Sequence, residues 1–90
     1  MSQVELRYVA HVTALTGCLR ERRPVAAGSI RALIGELEAS YPGFHSLFVD
    51  PATGRLALNS AIYYGDAGQI PISVIDLDQP LRDGATITFW

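Results

Sequence analysis

The sequence predicts an α+β domain in which one main helix packs on one face of a mixed sheet of four to five strands. One segment has the apolar spacing of a helix, several others alternate apolar and polar residues, and turn-forming residues separate them. The chain has 90 residues, 49% of them hydrophobic, which is enough for one core and too little for two. We therefore expect residues 1–90 to form a single domain.

The first strands form a predicted hairpin. Val4, Leu6 and Tyr8 alternate with more polar residues, which is the two-residue period of a strand with one buried face. Residues 11–17 include several small and polar residues and end at Gly17, which can adopt a positive φ, so we predict a turn there. Val25 then anchors the second strand.

The main helix is predicted from Ser29 to the Pro42-Gly43 pair. Its apolar residues have the spacing i, i+3, i+4, i+7 and continue one turn further: Ile30, Leu33, Ile34, Leu37 and Tyr41. The Ser29 hydroxyl is suited to accept a hydrogen bond from the first turn, and Pro42 prevents the helix from continuing. Gly35 costs about 1 kcal/mol relative to alanine in a helix, so we expect it to mark close packing on the sheet.

The second half of the chain is predicted to supply the remaining strands. Residues 44–49 form an apolar connector, and residues 50–54 form a turn. Leu56 and Leu58 alternate with polar or small residues, which indicates a third strand, and residues 62–64 form a short fourth one. Residues 65–68 form a loop, and Asp83-Gly84 marks a turn before the last strand, residues 86–90.

The strand period also predicts an outward face. We expect Ile87 and Phe89 to point into the core together with Leu6, Tyr8, Leu56 and Leu58. The alternate positions then lie on the face opposite the helix: Val9, Ala57, Thr86, Thr88 and Trp90. An exposed tryptophan beside a valine is typical of a protein-docking patch. The alternative is that Trp90 folds over the edge of the sheet into the core.

The composition excludes several classes of partner and cofactor. A net charge of -2 without a dense arginine stripe argues against nucleic-acid binding, and no apolar segment is long enough to span a membrane. The single cysteine, Cys18, excludes an internal disulfide and indicates the cytosol. Since His11 and His45 lack any metal-binding spacing, we expect neither a metal nor another cofactor.

Two charged segments allow simple structural explanations. Asp76, Asp78 and Asp83 lie among turn-forming residues, which explains them without a bound cation. The mixed-sign run Arg20-Glu21-Arg22-Arg23 has two interpretations, a solvated hairpin tip or a contact with an acidic partner.

Three collinear segments contain motifs that occur together in one protein family. The first, residues 4–17, contains an aromatic-x-Ala strand end, Tyr8-Val9-Ala10, and a Leu-x-Gly turn, Leu15-Thr16-Gly17. The second is Leu56-Ala57-Leu58-Asn59. The third, residues 78–90, includes Pro80-Leu81-Arg82-Asp83-Gly84 and ends in two aromatic residues. With these segments the chain resembles the ThiS/MoaD family of ubiquitin-like sulfur carriers. The resemblance implies a β-grasp fold with the last strand in the middle of the sheet.

The resemblance also implies a function. In the family an activating enzyme adenylates the carboxylate of a C-terminal Gly-Gly, which becomes a thiocarboxylate and donates sulfur to a pterin, thiazole or other acceptor. The expected partners are therefore an activating enzyme or an acceptor (biosynthetic) enzyme, and the carrier itself supplies no catalytic side chain.

The end of the sequence leaves two functions open. The sequence stops at Trp90 without Gly-Gly, so either the chain was shortened there or the natural protein lacks the tail. The first explanation predicts a sulfur carrier similar to the small subunit of molybdopterin synthase. The second predicts a non-conjugating adaptor that binds a partner protein.

Overall fold

A computed structural model describes residues 2–90, which form a five-stranded sheet with helices between the strands. The strands are β1 (Ser2–Tyr8), β2 (Arg20–Val25), β3 (Ile62–Gly65), β4 (Ile72–Ser73) and β5 (Thr86–Phe89). The helices are α1 (Val12–Thr16), α2 (Ile30–Ser40) and α3 (Phe44–Phe48). The α+β class and the single main helix are confirmed.

The sheet has the strand order β2-β1-β5-β3-β4. β1 pairs with β2 antiparallel and with β5 parallel, while β3 pairs antiparallel with both β5 and β4. The last strand therefore lies in the middle of a mixed sheet, as the resemblance implied. Because β5 joins β1 to β3, it connects the N-terminal hairpin to the second half of the chain.

The core lies between the sheet and α2. The apolar stripe of α2 is fully buried and belongs to the same cluster as the inward residues of β1, β3 and β5: Ile30, Leu33, Ile34, Leu37, Val4, Leu6, Tyr8, Ile62, Ile87 and Phe89. Ser29 caps the helix as predicted, because its hydroxyl accepts a hydrogen bond from the Ala32 amide at 3.2 Å.

An aromatic group fills the centre of this core. The Phe89 ring lies 5.0 Å from Phe44 and 5.1 Å from Phe48 between ring centroids, both edge to face. Tyr8 stacks on Phe89 at 6.1 Å. These offset and edge-on arrangements are the favourable ones for aromatic pairs, so β5 is anchored by its last inward side chain.

Two segments that lacked a predicted element form short helices. Residues 11–17 were expected to be a turn, but Val12–Thr16 make one helical turn, α1, which ends at Gly17 with a φ of 75°. The apolar connector likewise contains α3. Val12, Phe44 and Phe48 are buried, so each short helix places apolar side chains in the core.

The predicted strand at residues 55–58 is wrong. Only Leu56 pairs there, in an isolated bridge with Val49, and Leu58 is 96% exposed. Leu56 packs partly buried against the core, whereas Leu58 does not point inward. The expectation for Gly35 is also wrong, since this residue is exposed and a Cβ built on it would meet no atom within 4 Å.

Candidate docking face

The surface of interest is the side of the sheet opposite α2, which we call the outer face. Its residues alternate with the buried ones along each strand: Gln3, Glu5 and Arg7 on β1, Arg20, Arg22 and Pro24 on β2, Thr86 and Thr88 on β5, Tyr63 on β3 and Ser73 on β4. The face combines threonines at the centre, arginines toward β2 and an aromatic ring on β3.

Thr86 and Thr88 occupy the middle of the outer face. Thr88 pairs with Arg7 on one side and with Tyr63 on the other, and Thr86 pairs with Glu5. Both threonines are half-buried, while Ile87 is fully buried. The sheet therefore places these two predicted site residues side by side on one surface.

Trp90 continues this surface beyond the end of β5. Its backbone amide donates to the Ala61 carbonyl at 2.9 Å, and its side chain is 45% exposed and does not belong to the core cluster. Val9 lies beside it, because the Val9 amide donates to the Phe89 carbonyl at 3.0 Å. The structure thus brings Val9 and Trp90 together at one end of β1 and β5.

Ala57 is separate from the other predicted site residues. It lies outside the five-stranded sheet, half-buried, and its amide donates to the Phe48 carbonyl at 3.0 Å. The strand alternation that predicted its outward position is absent. Its part in docking stays a prediction, as does that of the other four residues.

Tyr63 and Arg7 belong to the outer face but were not among the predicted residues. Both flank Thr88 in the sheet. Their own alternation with buried neighbours signals that each points outward, but not that they share a row with Thr88. Their neighbourhood depends on strand order, which joins residues far apart in sequence.

The mixed-sign run on β2 is divided between the two faces of the sheet. Glu21 points toward the helix side, where its Oε2 accepts hydrogen bonds from the hydroxyls of Tyr8 at 2.7 Å and Tyr41 at 2.6 Å. Arg23 is half-buried and donates to the Ser40 hydroxyl at 2.9 Å. Arg20 and Arg22 are exposed on the outer face.

Glu5 is the carboxylate set among these outer arginines. Its Oε2 accepts a hydrogen bond from Arg7 Nε at 2.8 Å, and its Oε1 lies 3.8 Å from a terminal nitrogen of Arg22. The hydrogen bond from Arg7 lowers the pKa of Glu5, partial burial opposes this, and the positive charges of Arg7, Arg20 and Arg22 lower the pKa further. Glu5 is therefore a charged carboxylate held by arginine side chains.

The remaining candidate residues have structural surroundings. Arg31 Nε donates to Asp78 at 2.7 Å, and Asp83 accepts from the Gln3 amide at 2.7 Å. Cys18 packs half-buried against the core. Within residues 2–90 no group of three or more His, Cys, Asp or Glu side chains is arranged to hold a metal ion. Over the same range, no helix has the length and apolar character needed to cross a bilayer.

No protein-family model and no curated protein sequence matches the chain. Solved structures do match it over nearly its whole length. SAMP1 from Haloferax volcanii is 16% identical with a TM-score of 0.70, and the match covers 99% of this chain and 93% of that one. The putative molybdopterin converting factor, subunit 1, from Pyrococcus furiosus is 21% identical with a TM-score of 0.67, covering 99% and 95%. The chain therefore has the same β-grasp fold as these structures.

A third β-grasp match comes from the crystal structure of the BexX/CysO complex of Amycolatopsis orientalis. It is 17% identical with a TM-score of 0.71, and the match covers 97% of this chain and 92% of that one. At these identities the likeness shows the β-grasp fold and assigns no role to individual residues.

Proposed function

We propose that the protein is a small ubiquitin-like carrier, similar to a sulfur carrier or the small subunit of molybdopterin synthase. It works by docking on an activating or acceptor enzyme through the outer face around Trp90, with Val9, Thr86 and Thr88. Ala57 joins this set only if the partner also reaches the segment beside Phe48. The carrier acts in the cytosol as an accessory protein rather than as a stand-alone catalyst.

The observation that carries this proposal is the position of β5. This strand lies in the centre of the sheet, parallel to β1, and leads to Trp90 at the end of the outer face. A carrier whose reactive end follows this strand presents that end beside an exposed tryptophan. The comparisons support the proposal through the fold of a putative molybdopterin converting factor subunit and through the BexX/CysO complex.

The carrier function is tested by sulfur transfer to the full-length gene product. Incubation with its activating enzyme, ATP and sulfide should raise the mass by the difference between one sulfur and one oxygen atom. A variant without the last residue of the Gly-Gly tail is the matched control and should show no increase. If the coding sequence contains no Gly-Gly beyond Trp90, or the mass does not change, sulfur transfer is excluded.

The second candidate is a non-conjugating adaptor. The outer face favours it, because a half-exposed tryptophan beside Val9 and the threonines can bind a partner without any reactive terminus. We expect Trp90→Ala to weaken binding to the partner enzyme by about 2 kcal/mol or more if Trp90 is a hot spot. Leu58→Ala is the control, since Leu58 is 96% exposed and lies outside the sheet. Equal affinities of both variants would exclude docking through Trp90.

A further inference from the structure

Three arginines lie together on the β1–β2 side of the outer face. Arg7 and Arg20 are directly opposite each other across the two strands, and Arg22 is opposite Glu5 in the next outward row. Arg7 and Arg22 share the single carboxylate of Glu5, whereas Arg20 forms no ion pair within residues 2–90. The group therefore carries a net charge of about +2 on a chain whose total charge is -2.

One part of this arrangement, the Arg7–Arg20 pair, does not stabilise the sheet. Like charges directly opposite on neighbouring antiparallel strands are destabilising, and Arg7 and Arg20 form such a pair. The Glu5 carboxylate accepts a hydrogen bond from Arg7 at 2.8 Å and also feels the charges of Arg20 and Arg22. One carboxylate therefore faces three guanidinium groups. On the helix side of the sheet, Glu21 accepts from two hydroxyls and forms an ion pair with Arg23 at 3.7 Å, so the surplus positive charge lies on the outer face.

The arginines adjoin the residues of the proposed docking face. Arg7 pairs with Thr88, which pairs with Tyr63, so a row runs from Arg20 on β2 to Tyr63 on β3. Trp90 lies beyond Thr88, directly after the end of β5. A partner that covers the tryptophan and the threonines would meet the arginine side of the same surface.

We propose that Arg7, Arg20 and Arg22 form an anion-recognition patch that binds an acidic protein surface. Carboxylates of that surface pair with the guanidinium groups that Glu5 alone does not neutralise. This inference rests on the proposed docking function and names the chemistry of the partner. Arginine suits this role, because its planar guanidinium makes paired hydrogen bonds with carboxylates. A protein partner fits better than nucleic acid, because Glu5 lies within the patch and the chain as a whole is acidic.

Binding to a defined acidic probe tests the patch. The probe is a short synthetic peptide of alternating Glu and Gly, compared with a Gln-Gly peptide and with oligothymidylate. Trp90 is the single tryptophan of the chain and reports binding by fluorescence on the same face. We expect the full-length protein to bind the Glu-Gly peptide, with affinity falling as salt rises, and to bind neither other probe measurably.

Two triple variants of equal charge separate the patch from net charge. Arg7→Gln, Arg20→Gln and Arg22→Gln together should weaken binding about fivefold to tenfold. The control combines Arg23→Gln, Arg55→Gln and Arg82→Gln, which lie off the outer face, and should bind like the wild type. Equal weakening in both variants overturns the proposal, and so does tighter binding of oligothymidylate than of the Glu-Gly peptide.

Thermal unfolding and enzyme docking complete the test. Arg20→Gln alone should raise the unfolding midpoint, because it removes repulsion from Arg7; a lower midpoint would show that Arg20 serves the fold and would overturn the proposal. In the enzyme-binding assay, loss of affinity in Trp90→Ala with none in the outer-arginine triple variant would overturn the acidic partner while leaving docking intact. No loss in Trp90→Ala counts against docking through Trp90 instead.

Discussion

At the scale of single residues, the partly buried polar group of Tyr8, Glu21 and Tyr41 is the chief departure from an apolar core. Two hydroxyls donate to the same carboxylate oxygen, so the hairpin and the end of α2 are joined by hydrogen bonds to a charged group. Such bonds are stronger than those between neutral groups. They fix the position of β2 relative to α2.

The pH dependence of stability should report this group. The pKa of Tyr8 is raised, first by burial and then by Glu21, and that of Tyr41 is raised, first by its hydrogen bond to Glu21 and then by burial. In the unfolded chain the tyrosine side chain has a pKa of about 10. Above that pH the unfolded chain therefore loses protons that the folded protein keeps. The free energy of unfolding should therefore fall as the pH rises above about 10.

Tyr8→Phe tests this expectation by urea unfolding at a series of pH values. At neutral pH the free energy of unfolding of the variant should be lower by roughly 1 kcal/mol. Above about pH 10 it should fall less steeply than that of the wild type. Tyr63→Phe controls for loss of a hydroxyl at neutral pH, because no side-chain hydrogen bond of the Tyr63 hydroxyl occurs within residues 2–90. An unchanged alkaline slope in Tyr8→Phe would contradict the raised pKa.

At the scale of secondary structure, the strongly periodic elements were predictable. The i, i+3, i+4, i+7 stripe and Ser29 located α2, and alternation located β1 and β5. α1 and α3 were missed because five residues make little more than one turn, too short for a periodic signal. The false strand at residues 55–58 has real alternation, but a strand also needs a partner, and only Leu56 has one.

The candidate face was predictable only along each strand. Period two placed Thr86 and Thr88 outward, yet the nearness of Arg7, Arg20 and Tyr63 follows from the strand order. That order joins β1 to β5 across most of the sequence and has no local sequence signal. Ala57 was misplaced for the same reason, because its predicted orientation depended on a pairing that does not form.

Two glycine substitutions with opposite expected signs test the packing of these elements. Gly65→Ala in β3 should cost about 1–3 kcal/mol, because an added Cβ would lie 3.1 Å from the Gln69 carbonyl oxygen and 3.2 Å from Pro71. Gly35→Ala in α2 should gain up to about 1 kcal/mol, since its site is open and alanine favours helix. Chemical denaturation measures both. A loss in Gly35→Ala would show that the helix packs more tightly there than the structure indicates.

At the scale of the whole molecule, stability depends on the strand that joins the two halves of the sheet. β5 contributes the fully buried Ile87 and Phe89, and Phe89 contacts aromatic rings from β1 and α3. A domain of this size has only about 5–15 kcal/mol of net stability. One side chain at this junction therefore accounts for a large share of it.

Phe89→Ala should lower the free energy of unfolding by about 3–5 kcal/mol, because it opens a cavity among Tyr8, Phe44 and Phe48. Trp90→Ala is the neighbouring control and should lose less, since its ring is 45% exposed and outside the core. Equilibrium unfolding in urea compares the two. Equal losses would contradict the inward and outward assignment of these residues.

The central position of β5 also determines when the protein can fold during its synthesis. The hairpin of β1 and β2 leaves the ribosome first, but its partner in the middle of the sheet is the last strand of residues 2–90 to be made. Until Phe89 emerges, β1 keeps an open edge and α2 has no complete sheet to cover its apolar stripe. We therefore expect this domain to complete its folding only after Phe89 has left the ribosome, and its apolar residues to be open to chaperones until then.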